Sequence, residues 1–163
     1  MHIYINNKYL IYGNYKVKCA VGKRGIAIKR KEGDLITPLG VYKIKYLLYR
    51  DDRVNKFHTS FETKKITRSL GWCDDSKSKD YNKLITYPFK HRAEKLFRKD
   101  NIYDLILVLN FNMNPTYRNK GSAIFIHVAK PNFTATKGCV ALKKNNLIKL
   151  IKKIKKNTKV KIF

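Results

Sequence analysis

The chain has 163 residues, enough for one domain with a real hydrophobic core and too few for two comfortable ones. Hydrophobic residues make up 44%, with only 8 Gly and 4 Pro, which excludes a disordered or fibrous chain. Lys and Arg number 37 against 11 Asp and Glu, a formal charge of +26 that favours polyanions, but the basic residues are spread from Lys8 to Lys161 and most are Lys rather than base-reading Arg, so no specific nucleic-acid function is expected.

From Ile3 to Val21 short β-prone pieces are broken at Asn6-Asn7 and Gly13-Asn14, which predicts strands joined by hairpins. The stretch from Gly22 to Gly40 reads as loop-rich and is followed by a strand over Val41–Tyr49. Arg50 to Pro88 is polar and reads as a long irregular insertion, which Phe57, Phe61, Trp72, Tyr81 and Tyr87 would keep ordered. His91–Lys99 has Ala93, Leu96 and Phe97 at helical spacing, and Leu105–Phe111 is a near-continuous apolar run of strand length. A further strand is expected over Ala123–Ala129. Asn146–Lys156 places Leu147, Leu150, Ile151 and Ile154 at i, i+3, i+4 and i+7, an amphipathic helix with Lys outside. Val160, Ile162 and Phe163 can close the sheet. The expectation is one mainly β domain over 1–163 with two short peripheral helices.

Three cysteines, Cys19, Cys73 and Cys139, leave at least one thiol unpaired within the chain. Neither CxxC nor HxxxH occurs, so no metal or other cofactor is expected. No apolar run approaches the about 18 residues of a membrane span, and no signal-peptide h-region is visible at the start.

The chemistry concentrates in FIHVAKPNFTATKGCVAL, residues 125–142. Alternation along Ile124–Val128 sends Ile124, Ile126 and Val128 to one face and Phe125 and His127 to the other. A loop through Pro131 then leads to Cys139, and Gly138 lets the backbone turn sharply enough to offer N–H groups to an oxyanion. Two readings stand at this point: a Cys/His nucleophile and base, or a buried thiol beside a structural histidine.

Ordered blocks over roughly residues 17 to 150 carry a resemblance. Thr136-Lys137-Gly138-Cys139 follows the strand histidine; before it come Glu32-Gly33-Asp34, Thr37-Pro38-x-Gly40, Gly71-Trp72-Cys73-Asp74-Asp75, Tyr81-Asn82, Tyr103-Asp104 and Gly121-Ser122-Ala123-Ile124-Phe125-Ile126-His127. With these the chain resembles the L,D-transpeptidases of the YkuD type, cysteine enzymes that remodel peptidoglycan, in a subgroup of small stand-alone domains. Where the family commonly has a histidine before the glycine and an arginine two places after the cysteine, this sequence has Lys137 and Ala141.

The resemblance implies a β-sandwich-like domain in the periplasm or cell envelope, acting as a monomer on peptidoglycan. Cys139 is the implied nucleophile and His127 its base, with Gly138, Lys137 and Thr136 forming the oxyanion loop. Thr37, Pro38, Gly40, Trp72, Asp74 and Tyr81 are implied substrate-side residues, and Arg30 and Arg53 are candidates for the substrate carboxylate. The implied reaction releases D-Ala from a stem tetrapeptide and forms a 3–3 cross-link through a thioester. A hydrolase of the same fold and a non-catalytic basic module for polyanions or wall are the alternatives.

Overall fold

A computed structural model describes residues 1–55 and 58–163. The N-terminal hairpins form at the expected turns, as β1 (Ile3–Ile5), β2 (Tyr9–Tyr12) and β3 (Tyr15–Lys18). Asn6 builds its own turn, its side-chain oxygen accepting the N–H groups of Lys8 at 2.9 Å and Tyr9 at 2.8 Å. The short β4 (Ile26–Ala27) and β5 (Thr37–Pro38) pair in parallel before the long β6 (Gly40–Tyr49). Then come β7 (Thr63–Lys65), β8 (Leu70–Cys73), β9 (Leu84–Thr86), β10 (Ala93–Lys95) and β11 (Leu105–Leu109). The chain finishes with β12 (Phe125–Val128), β13 (Val140–Leu142), α1 (Lys144–Lys153) and β14 (Lys159–Ile162).

One sheet dominates, in the order β13-β12-β11-β6-β14-β1-β2-β3 with β7 added beside β6; β10-β8-β9 form a separate three-stranded sheet. The large sheet curls on itself. Just past β3, the Ala20 N–H donates to the Ala141 carbonyl at 2.9 Å and the Ala141 N–H returns the bond at 2.8 Å, so the edge at β13 is covered. Inside the curl lies the main core, which includes Ile5, Leu47, Leu107, Ile126 and Val140, and α1 packs Leu147, Leu150 and Ile151 onto it. Each such side chain contributes roughly 1.5–3 kcal/mol on full burial.

A second core lies outside the curl. Leu48, Ile106, Val108 and Phe125 point away from the main core and meet Trp72, Leu96 and Tyr103, so the small sheet roofs the β6-β11-β12 half of the large one. Burial on both faces explains why β11 reads as an uninterrupted LILVL run.

Three expectations are corrected. Among the described residues there is one helix rather than two: the His91–Lys99 segment is extended, and β10 pairs Glu94 with Trp72 and Lys95 with Gly71. Helical spacing there is overridden because β8 needs a partner on the edge opposite β9. Second, Arg50 to Pro88 is not an irregular insertion; it supplies β7, β8 and β9. Third, Ala123 lies in a loop with φ +52° rather than in a strand. Phe57 lies outside the described residues. The C-terminal helix is present but ends one turn earlier, with Ile154 extended. No described helix is long and apolar enough to cross a membrane.

Candidate active site

Strand alternation and register put the thiol and imidazole on one face. β12 and β13 are parallel, with His127 opposite Ala141 and Ile126 opposite Val140. Cys139, two residues before Ala141, therefore shares the outer face with His127, one diagonal step away. It packs at the margin of the second core, half-buried, while His127 is only 7% exposed.

Both groups are neutral at rest. Burial pushes the Cys139 thiol up to about 12 and draws His127 down to about 4. The thiol donates to the Ala123 carbonyl at 3.0 Å, and its sulfur accepts the Phe125 N–H at 3.4 Å. His127 Nδ1 lies 2.9 Å from the Val128 carbonyl. A carbonyl can only accept, so the proton is on Nδ1 and Nε2 keeps its lone pair.

The carbonyl that receives the thiol is rigidly held. Ala123 donates its N–H to Asn82 Oδ1 at 3.0 Å; Asn82 also accepts the Trp72 indole N–H at 3.2 Å and donates to the carbonyls of Phe111 and Asn112. Glu32 accepts the Tyr81 hydroxyl at 2.5 Å and the Ser122 hydroxyl at 2.7 Å, while the Tyr81 oxygen accepts the Gly121 N–H at 3.0 Å. A non-glycine residue at positive φ persists only where its surroundings over-determine it, and Ala123 has such surroundings.

The turn before the cysteine is fixed equally well. Thr136 donates its hydroxyl to the Cys139 carbonyl at 2.6 Å and accepts the Gly138 N–H at 3.1 Å. Thr37, fully buried, accepts the Gly22 N–H at 2.7 Å and reaches the same Cys139 carbonyl at 3.4 Å. Gly138 has φ +143°, and a Cβ there would lie 2.9 Å from the Ile36 carbonyl oxygen, so only glycine fits.

None of the other sequence-expected residues hydrogen-bonds the thiol among the described residues. Trp72 and Tyr81 are buried, Trp72 edge-on to Phe125 at 5.1 Å between centroids, so they pack against the site from within. Asp74 pairs with Arg92 at 3.0 Å. Pro38 is buried in β5, and Gly40 starts β6 opposite Ile162. Arg53 is bound to Asp104 at 3.1 Å and to the carbonyls of Asp100 and Lys99, and the Arg30 side chain is exposed. Among the described residues no three His, Cys, Asp or Glu side chains gather to hold a metal ion.

The profile of the L,D-transpeptidase catalytic domain, YkuD, matches residues 1–162. The chain belongs to that family. Among curated proteins none matches it. In this L,D-transpeptidase domain, four side chains around the thiol or the imidazole went unassigned from sequence. Tyr103 stands edge-on to His127, ring centroids 5.4 Å apart, and donates its hydroxyl to Glu94 at 2.8 Å. Glu94, whose carboxyl is raised by burial, faces the same side of β10 as Leu96 and feels Arg98 and Lys137. Arg98 lies 5.5 Å over the Tyr103 ring and pairs with Asp100 at 2.7 Å. Lys29, its side chain 3% exposed, bonds Asp34 at 2.5 Å with its Nζ 3.6 Å from where a Gly138 Cβ would stand. Burial works to raise Asp34, but Lys29 and the N–H groups of Arg30, Ile36 and Lys31 outweigh it and hold the carboxyl at about 2. Tyr103 stood in a recognisable block; Glu94 was hidden by the helical reading of its segment, and a buried Lys29 has no signal in a chain so rich in lysine.

Proposed function

We propose that the protein is a cysteine L,D-transpeptidase that acts on peptidoglycan stem tetrapeptides in the cell envelope. The observation that carries this reading is the Cys139 thiol set on one face with a neutral, Nδ1-protonated His127, beside a braced Thr136-Lys137-Gly138 turn. Since the resting thiol is neutral, no standing thiolate–imidazolium pair is needed: the thiol proton leaves the Ala123 carbonyl for His127 Nε2 as sulfur attacks the amide before the terminal D-Ala. The tetrahedral oxyanion is assigned to backbone N–H groups of Lys137 and Cys139, because Gly138 gives its own to Thr136. Collapse breaks the C–N bond, His127 returns the proton to the departing D-Ala amine, and a thioester remains. The side-chain amine of a neighbouring stem's third residue then attacks and loses its proton to His127, which passes it to the sulfur of Cys139 as the C–S bond breaks and the 3–3 cross-link forms. Water in that place would yield a trimmed tripeptide.

The test has two arms. Intact mass after incubation with a carbapenem should show a one-to-one adduct that is lost in Cys139→Ala; no adduct on the reduced parent protein would sink the nucleophile. Digestion of treated sacculi should yield 3–3 dimers; tripeptides alone would replace transfer by hydrolysis.

A further inference from the structure

The outer face of the large sheet is covered on only one half. Over β11, β12 and the end of β6 the small sheet forms a roof; over β14, β1, β2 and β3 the outer face is bare among the described residues. Residues that should be hidden on a strand face collect there. Val41 and Phe163 are each 59% exposed, and Leu39, just before β6, is 48%; Tyr4 and Tyr9 are each 38%. Tyr4 and Phe163 touch edge-on at 6.3 Å.

Strand register fixes what surrounds them. Lys16 lies opposite Ile11, Ile11 opposite Tyr4, Tyr4 opposite Lys161, and Lys161 opposite Val41, a single row crossing five strands. Lys18 stands opposite Tyr9, and Lys159 opposite Lys43. The lysines lie back along the rings, Lys16 at 4.4 Å over Tyr9 and Lys161 at 5.3 Å over Tyr4. None of these strands contributes an acidic side chain, because residues 1–31 and 105–163 contain no Asp or Glu and β6 contains none either. Beside Lys43 and Lys159 the surface dips into a depression that Lys45, Lys156, Ser60 and Asn157 also line; its one carboxylate among the described residues, Glu62, is paired with Lys64 at 3.3 Å.

We propose that this face docks on an anionic lipid bilayer, with Val41, Phe163, Leu39 and the two tyrosines entering the interfacial zone and the depression taking lipid phosphate. Apolar side chains ringed by lysine are the composition of an interfacial membrane binder, where apolar area and attraction to anionic lipid add. Single-stranded nucleic acid fits less well. Val41 and Leu39 have no ring to stack a base on, and the tyrosine faces that do are partly taken by lysine.

Sedimentation of the full chain with vesicles separates the possibilities. Vesicles of phosphatidylcholine with roughly a third phosphatidylglycerol should carry the protein down at low and moderate salt, and pure phosphatidylcholine should not. Tyr4→Ser/Val41→Ser/Phe163→Ser keeps every charge and should weaken anionic-vesicle binding about tenfold or more. Lys43→Glu/Lys159→Glu should weaken it as well. An unchanged melting temperature shows that these surface variants fold. Val41→Trp supplies a signal that needs no loss of binding: its emission should shift to the blue and be quenched by bromine-labelled acyl chains. Equal vesicle binding by the triple variant, or Val41→Trp emission indifferent to the labelled lipid, overturns the proposal in favour of plain charge adhesion. Patch-dependent binding to a single-stranded oligonucleotide without patch-dependent binding to vesicles overturns it too.

Discussion

At Cys139 and His127 a pair of opposed shifts bears on how the proposed chemistry would start and on how the fold responds to pH. An imidazole held near 4 stays unprotonated through neutral pH, so kcat/KM on a small acyl donor should hold level as pH falls through 6.5 and decline only towards about 4. The stability sign follows the same proton. Between about 4 and 6.5 the unfolded histidine binds a proton that the folded one refuses, so the protein loses stability as pH falls through that window. His127→Gln should flatten that slope in urea titrations at stepped pH while lowering carbapenem acylation roughly 10²- to 10⁴-fold; a slope unchanged in the variant would assign the acid sensitivity elsewhere. Glu94 offers a second check. Its carboxylate helps keep the thiol high, after burial and against the Phe125 N–H, so Glu94→Gln should speed alkylation of Cys139 by iodoacetamide at mildly alkaline pH. Equal rates would place Glu94 outside the thiol's field.

Elements differ in how openly the sequence announces them. The hairpin turns at Asn6-Asn7 and Gly13-Asn14 and the i, i+3, i+4 stripe of α1 are local signals, and the structure obeys them. Residues 91–99 carry an equally good local stripe that fails, because the deciding interaction is with β8, about twenty positions earlier, and no periodicity reports a partner strand. The same limit applies at the thiol. The sequence blocks grouped Trp72 and Tyr81 with Cys139, His127 and Gly138, but a motif block shows only that residues belong together, not which way they point, and both side chains are buried. Within α1, Leu150 is fully buried, and Leu150→Ala should cost about 2–5 kcal/mol by urea unfolding; a loss under about 1 kcal/mol would mean that the helix adds little to the main core.

For the whole molecule, two cores share one set of strands. β11 is covered on both sides, so its amides should exchange slowest with deuterium, and those of β9, at an outer edge of the small sheet, faster. The reverse order would show that the roof, not the curl, is the more stable unit. The closure at Ala20 and Ala141 carries a consequence for synthesis. The strand leading from Cys139 is held on one side by β12 and on the other by residues more than a hundred positions upstream, while β14 joins β1 to β6. Contacts of such long range form late. A chain still emerging from the ribosome has its thiol in no defined position until the curl has closed.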